Sequence, residues 1–515
     1  MPFVALGSNG NGQLGIGSDE DTPRPACVTA SQNDELLVGA HSAATLSTSP
    51  FHAFAAGGNH SAIITRAPSR RLFMTGSNKD GETLFQVASF IFQAHDIEPD
   101  KQQDPPSRLN QHPIPDIDPQ NQHIGDKSLH SWRAVACGWA FTVAITEPVF
   151  DEGLGHSSRE RAQDRPQVFA WGSGSFGELG LGPGISKTGR KAIPVTLDTD
   201  LWSKEGVAVA YEATQIRAGL RHVLLLLTES TASSNAGEKK RTLLLGWGSN
   251  RQGQLGILER RGQGQQQPPL AEKELRGKFM EPARILLPIS PAPSINDTPT
   301  VVDMACGQNH SLVLLSDGSV YSSGLDKYGQ LGPREVSGTG RPPSQASGSK
   351  TDFRIGFERV QGLPPVDLIS CGWNHNGAMN SQDRTRLYLW GRNDHGQLGN
   401  GTTLAAITTS DSSAIVVVRI PKSEQPDSPD KEFEEIESFS CGSEHCLAMT
   451  RSGDCYAWGW NEHGNCGTGP EGVDDRLDVL SPRKIHLSTS TSNPPSSSAS
   501  GWVAGGYGSS WIVFP

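Results

Sequence analysis

Two short motifs alternate along this chain, and each occurs seven times. The first is a Gly-Ser-Asn turn running into Gly-Gln-Leu-Gly. It reads GSNGNGQLG from Gly7, GSNKDGETL from Gly76, GSGSFGELG from Gly172, GSNRQGQLG from Gly248, GLDKYGQLG from Gly324, GRNDHGQLG from Gly391 and GWNEHGNCG from Gly459. The second is a small residue, a glycine, two variable residues, a polar pair and an apolar run. Its copies are AGGNHSAII from Ala56, CGWAFTVAI from Cys137, AGLRHVLLL from Ala218, CGQNHSLVL from Cys306, CGWNHNGAM from Cys371, CGSEHCLAM from Cys441 and GGYGSSWIV from Gly505. Fourteen copies in one unbroken order mean that a single repeated unit organises the whole chain.

Each unit supplies a strand into the small-Gly turn, a strand after it (SLVLL, CLAMT) and a strand into the first motif (VFAWG, LYLWG, CYAWG). These runs are short, rich in β-formers and bounded by glycine, as strands of stacked sheets should be. Units of roughly 40–50 residues with four strands each are propeller blades. The sequence therefore predicts an all-β, seven-bladed β-propeller forming a single domain over residues 1–515. The ends carry complementary half-repeats, Val4–Gly7 and Val503–Phe514, so they are predicted to share one blade and latch the ring.

The glycines of the second motif stand 64 to 88 residues apart, more than a blade needs. The excess is polar and rich in proline. It is read as long, mobile surface insertions near 85–130, 147–165, 258–298, 333–352, 402–432 and 484–500, because such composition cannot bury enough apolar surface to fold alone.

A formal net charge of −11 repels nucleic acid and anionic membranes at range. The basic clusters, Arg70-Arg71 and Lys239-Lys240-Arg241, are too short to make a nucleic-acid stripe. No basic segment followed by an apolar stretch opens the chain, and runs such as Val223–Leu227 are far too short to span a bilayer. Eight cysteines without a secretory signal read as reduced thiols, which places the chain in the cytoplasm, with the nucleus as a second compartment.

The residues that could carry chemistry mostly have an explanation in the repeat. Cys441, His445, Cys446, Cys455, His463 and Cys466 look like a metal cluster, but no Cys-x₂-Cys pair occurs among them. Cys441 fills the small-residue slot of Ala56 and Cys137, Cys446 the slot of Ser61 and Ser311, and Cys466 that of Leu14 and Leu398. No metal and no cofactor are expected. Histidines 60, 222, 310, 375 and 445 recur at one register, which suits a repeated hydrogen bond rather than a single catalytic base. Gly172–Gly177 matches a dinucleotide fingerprint, yet Glu-Leu-Gly-Leu-Gly-Pro-Gly follows where a helix would have to begin. No catalytic residue is assigned, and an enzyme is not expected.

The turn tryptophans are different. Trp171, Trp247, Trp390 and Trp458 fill a repeated core slot. Trp139 and Trp373 stand in a turn position where other blades carry Gly58, Leu220, Gln308, Ser443 and Tyr507, so packing does not demand a large aromatic there. A partly exposed aromatic on a rigid rim is an anchor for a partner. The predicted partner site is Trp139, Trp373, Ser443 and Glu444, with Trp460, Glu462 and His463 close by.

The doubled motif resembles the regulator-of-chromosome-condensation repeat over the whole chain apart from the insertions. Within that superfamily, GSNGNGQLGIGSDEDTP (Gly7 to Pro23), ACGW (Ala136 to Trp139), GSEH (Gly442 to His445) and WGWNEHGNCG (Trp458 to Gly467) are similar to the killer-toxin-insensitivity, or α-tubulin-suppressor, family. That resemblance implies a non-catalytic adaptor. It implies a heterodimer with a small zinc- or iron-binding protein of diphthamide biosynthesis and, indirectly, support of Elongator in modifying wobble uridines of tRNA. The alternative is a guanine-nucleotide exchange factor for a small GTPase, the role of the superfamily's founding member. An ultraviolet photoreceptor would want several Gly-Trp-Arg-His-Thr turns, and this chain has only GWAFT and GWNHN.

Overall fold

The structure is a computed structural model. It describes residues 3–28, 51–66, 70–83, 93–94, 131–148, 165–189, 191–197, 210–230, 240–259, 270–289, 298–334, 352–403, 415–422, 432–467, 477–486 and 501–514. Among these, the strands form seven antiparallel sheets, six of four strands and one of five. Six blades are built from consecutive chain. Blade one begins with Phe51–Ala56 and His60–Thr65, and blade six ends with Cys455–Gly459 and Val479–Lys484. The strand leading into each second motif is innermost, and every inner strand packs against the next, Trp502–Gly505 closing back onto Phe51–Ala56. The ring is complete.

The seventh blade joins the two ends, as the half-repeats predict. Its order from the axis outward is Trp502–Gly505, Ser509–Val513, Phe3–Gly7 and Thr22–Cys27. Phe3 pairs with Val513 and Gly7 with Ser509 in unbroken antiparallel register. All five residues of Phe3–Gly7 are buried.

Two repeated devices explain the motifs. In the first, the leading glycine has φ between 99° and 122° in all seven copies. An added Cβ would come within 2.3–2.6 Å of a carbonyl oxygen at each one, so only glycine serves. Two residues on, the Asn9, Asn250, Asn393 and Asn461 side chains accept the backbone N–H of Leu14, Leu255, Leu398 and Cys466 at 2.7–2.9 Å. The loop is thereby fixed by its own sequence.

In the second, a buried histidine reaches into the following blade. His60 Nε2 meets Thr142 Oγ1 at 2.8 Å, His222 meets Ser311 Oγ at 2.9 Å, His310 meets Asn376 Oδ1 at 2.7 Å and His445 meets Ser510 Oγ at 2.9 Å. Thr142, Ser311 and Ser510 donate onward to the carbonyls of Glu82, Gln254 and Asn465. The imidazole must therefore be the donor, protonated on Nε2. Trp171 Nε1 shares the Glu82 carbonyl at 2.8 Å, and Trp390 and Trp458 repeat this with Gln330 and Gln397. The expected repeated hydrogen bond thus runs between blades rather than within one. The glycine three residues before His222 makes room for its ring, which an added Cβ would meet at 2.2 Å.

Most of the predicted insertions lie outside the described residues. Two readings change. Within 258–298, residues 272–275 form a short helix and Lys278–Leu286 is a nine-residue strand of the third blade. Likewise Val416–Val418, inside 402–432, is an edge strand of the fifth blade. Outer strands face solvent on one side and so carry polar residues and prolines, which is why their composition resembled loop.

Candidate functional site

Strands alternate in direction across a blade, so the second-motif turn and the first-motif loop emerge on the same face. The contact is direct: Ser77 N–H donates to the Asn59 carbonyl at 2.7 Å, and Arg392 N–H to the Asn374 carbonyl at 2.9 Å. Around the axis the turns are sewn to one another. Gly58 N–H donates to Gly138, Trp373 N–H to Ser443, and Ser443 N–H to Gly506, each through backbone. Side chains at these turns stand on a rigid collar.

Beneath the collar lies an axial cavity of about 150 Å³, lined by the small-residue slots Ala56, Cys137, Ala218, Cys306, Cys371, Cys441 and Gly505, with Trp373, Ser443 and Tyr507 above them. Tyr507 joins the two turn tryptophans. Its ring centroid is 5.9 Å from Trp139 and 5.4 Å from Trp373, both edge-on. Trp139 is 41% exposed, one of few large apolar side chains so placed. Its indole lies against Gly58, where a Cβ would sit 2.9 Å from the ring. Trp460 continues the patch, packing near Gly508 and edge-on to His463 at 5.1 Å. His463 Nδ1 reaches Asp21 at 2.6 Å, and Glu462 is exposed.

The structure therefore gathers Trp139, Trp373, Trp460, Glu462 and His463 on one face and separates two predicted residues from it. Ser443 is buried, and its Oγ accepts the Gly508 N–H at 3.0 Å. Glu444 is buried between Arg392 Nη1 and Gln397 Nε2, both at 2.7 Å. Their side chains brace the collar rather than present to a partner. Tyr507 was passed over, although it shares the register of Trp139 and Trp373; that register was the available signal.

The C-terminal cysteine and histidine cluster does not assemble as its spacing suggests. Only Cys441 and Cys446 meet, Sγ to Sγ at 3.8 Å, and the third member is His375 of the preceding blade. These three ligand atoms lie within 4.8 Å of one another, the one such group among the described residues. The repeat accounts for it: His375 Nε2 contacts Cys446 Sγ at 3.3 Å, the inter-blade link of the other histidines with a thiol in place of the hydroxyl. Burial pushes the Cys137 and Cys306 thiols up to about 12. At Cys441 burial acts the same way, but the neighbouring Cys446 and His375 outweigh it and hold the thiol below its ordinary value.

Geometry and site define a class: a seven-bladed propeller latched by its two termini, presenting an aromatic crown around a closed axis. The RCC1-like domain matches residues 3–512, and the chain belongs to that family. It is 28% identical over 470 residues to the secretion-regulating guanine nucleotide exchange factor of Mus musculus, covering 91% of this chain and 76% of that protein. It is 26% identical over 387 residues to the ultraviolet-B receptor of Arabidopsis thaliana, covering 73% of this chain and 66% of the receptor. An RCC1 repeat-containing protein of Schizosaccharomyces pombe matches at 24% identity over 515 residues, covering 99% and 98% of the two chains. Among solved structures, Prp20p of Saccharomyces cerevisiae superimposes with a TM-score of 0.59 at 18% identity, covering 100% of this chain and 91% of Prp20p.

Proposed function

We propose that this chain is a non-catalytic protein-binding propeller that seats a small partner protein on the aromatic crown. The observation that carries this reading is the exposure of Trp139, at 41%, beside Tyr507 and Trp373 on a collar of turns joined by backbone hydrogen bonds. Rigid aromatics lose little entropy on binding and dominate interface energetics. The partner proposed is the small zinc- or iron-binding protein of diphthamide biosynthesis, and through it Elongator-dependent modification of tRNA wobble uridines. The similarity of ACGW, GSEH and WGWNEHGNCG to the killer-toxin-insensitivity family supports that choice, and the cytoplasm, with the nucleus, is where it would act.

A second reading is a guanine-nucleotide exchange factor for a small GTPase. One observation favours it: the relative so named in Mus musculus aligns over 91% of this chain.

The test measures partner affinity and melting together for Trp139→Ala and Trp373→Ala. Loss of an interface-centre tryptophan costs at least about 2 kcal/mol, or roughly thirty-fold in affinity. Folded variants with unchanged affinity defeat the crown as the site. Nucleotide release from a panel of small GTPases, accelerated by the purified chain, would instead establish the second reading.

A further inference from the structure

We propose that the crown-bearing face also carries, at the junction of the second and third blades, a docking site for a carboxylate-rich segment of a partner protein, formed by Arg221, Arg251 and Lys278 around Phe176. This rests on the reading of the chain as a protein-binding propeller and adds the chemistry of what is bound.

The four residues come from separate places that the repeat brings together. Phe176 belongs to the first-motif loop of the second blade, and Arg221 to the second-motif turn of the third. Arg251 lies in the third blade's first-motif loop, and Lys278 opens its strand Lys278–Leu286. Arg221 Cζ lies 4.1 Å from the Phe176 ring centroid, Lys278 Nζ 4.8 Å and Arg251 Cζ 5.0 Å. Lys278 is held there by donating to the Ser175 carbonyl at 2.9 Å. One aromatic ring thus gathers three cations.

Elsewhere several arginines are held in ion pairs. Arg217 meets Asp303 at 2.9 Å, Arg392 meets Glu444 at 2.7 Å and Arg133 meets Glu147 at 3.2 Å. None of the three cations around Phe176 has a carboxylate partner among the described residues. The nearest counter-charge is Glu178. It is buried and feels the charges of Arg221 and Lys278, but its Oε2 accepts the Phe176 N–H at 2.6 Å and it forms no ion pair with either cation among the described residues. Arg276, over the Phe353 ring at 4.5 Å, is a separate pair of the same kind at the next junction. In a chain of net charge −11, like charges crowded without partners raise the energy of the free protein, and an arriving anion relieves it. Arginine forks held against an aromatic ring are set for bidentate capture of carboxylates.

The occupant follows from extent and shape. The cations are confined to one junction, whereas a nucleic-acid track needs a stripe, and the global charge repels a long polyanion. Arg251 and Lys278 are exposed on an open face, so the ligand lies across the surface as a chain segment would.

The experiment titrates the full-length protein into a fluorescein-labelled oligoglutamate peptide and follows anisotropy, with melting measured for every variant. The peptide binds, and raising the salt weakens it. An oligoglutamine peptide does not bind. Arg221→Gln with Arg251→Gln weakens binding by about tenfold or more, Lys278→Gln weakens it less, and Val417→Ala, on the exposed edge strand of the fifth blade, leaves it unchanged. Peptide binding untouched by the double variant overturns the location. A single-stranded oligonucleotide of equal charge bound as tightly overturns the ligand class. No partner is present in this assay, so its failure is separate from failure of the crown, which shows only as partner affinity insensitive to Trp139→Ala.

Discussion

His60 Nε2 lies 2.8 Å from Thr142 Oγ1 across the junction of the first and second blades, both side chains wholly buried. The hydroxyl accepts from the imidazole and donates to the Glu82 carbonyl at 3.0 Å. One side chain therefore satisfies two buried groups, and the arrangement repeats around the ring. Buried polar groups of this kind give register between blades that apolar packing alone would leave free to slide.

Thr142→Val keeps the volume and removes the hydroxyl. The His60 N–H is then orphaned in a dry junction, at a cost of about 1–3 kcal/mol. The denaturation midpoint in urea should fall by the corresponding amount with the slope unchanged. A variant as stable as the parent would show that the inter-blade link contributes nothing.

Acid should act on the same histidines. Burial holds His60, His222 and His445 at about 3 and His310 at about 4, against an ordinary 6.5. The unfolded chain takes up these protons near pH 6.5, and the folded one refuses them until pH 3–4. Their contribution is complete above pH 6.5 and falls as pH drops toward 4, by up to about 1.4 kcal/mol per pH unit for each group. His375, raised because Cys441 outweighs burial, acts in the opposite sense, so four groups stand against one. Urea midpoints at pH 7 and pH 5 should differ, the lower value at pH 5. A flat profile contradicts neutral, buried imidazoles.

The ring, its blade number and the shared seventh blade were legible because glycines, asparagines and histidines recur wherever the backbone demands them. The recurrence also identified which residues were free of that demand, and so led to Trp139 and Trp373. It failed at positions whose role depends on neighbouring blades. Glu444 occupies a variable turn position, as Asn59 and Arg221 do, yet Arg392 and Gln397 claim its carboxylate. Phe176 looked like a loop residue, and nothing in GSGSFGELG tells that Arg221 and Arg251 converge on it. The register of His375 signals a repeated hydrogen bond but not its partner, Cys446, which lies in the next blade.

Ring closure supplies a second test of stability. Removing residues 505–515 deletes Ser509–Val513, the strand that holds Phe3–Gly7 to Trp502–Gly505. Buried Phe3, Val4 and Leu6 would face water, and two sheet edges would open. The truncated chain should melt well below the parent and aggregate on gel filtration. A monomer with unchanged melting is incompatible with the terminal latch.

The axial thiols separate chemical reactivity from metal binding. Cys441 lines the cavity shared with Cys137, Cys306 and Cys371, and only there among the described residues do two sulfurs and an imidazole adjoin. Its neighbours hold its thiol below the ordinary value, whereas burial pushes Cys137 and Cys306 up to about 12. The thiolate is the nucleophile, so iodoacetamide at pH 7 should modify Cys441 ahead of those two, as peptide mapping by mass spectrometry reads directly. Metal is a separate matter. Cys446 Sγ already contacts His375 at 3.3 Å and lies 3.5 Å from the Gln397 carbonyl, and a metal would have to break these links between blades. Elemental analysis of the reduced, dialysed protein should therefore show no stoichiometric zinc or iron. If zinc is retained and also shields Cys441 from iodoacetamide, the repeat does not account for these three residues, and they form a metal centre instead.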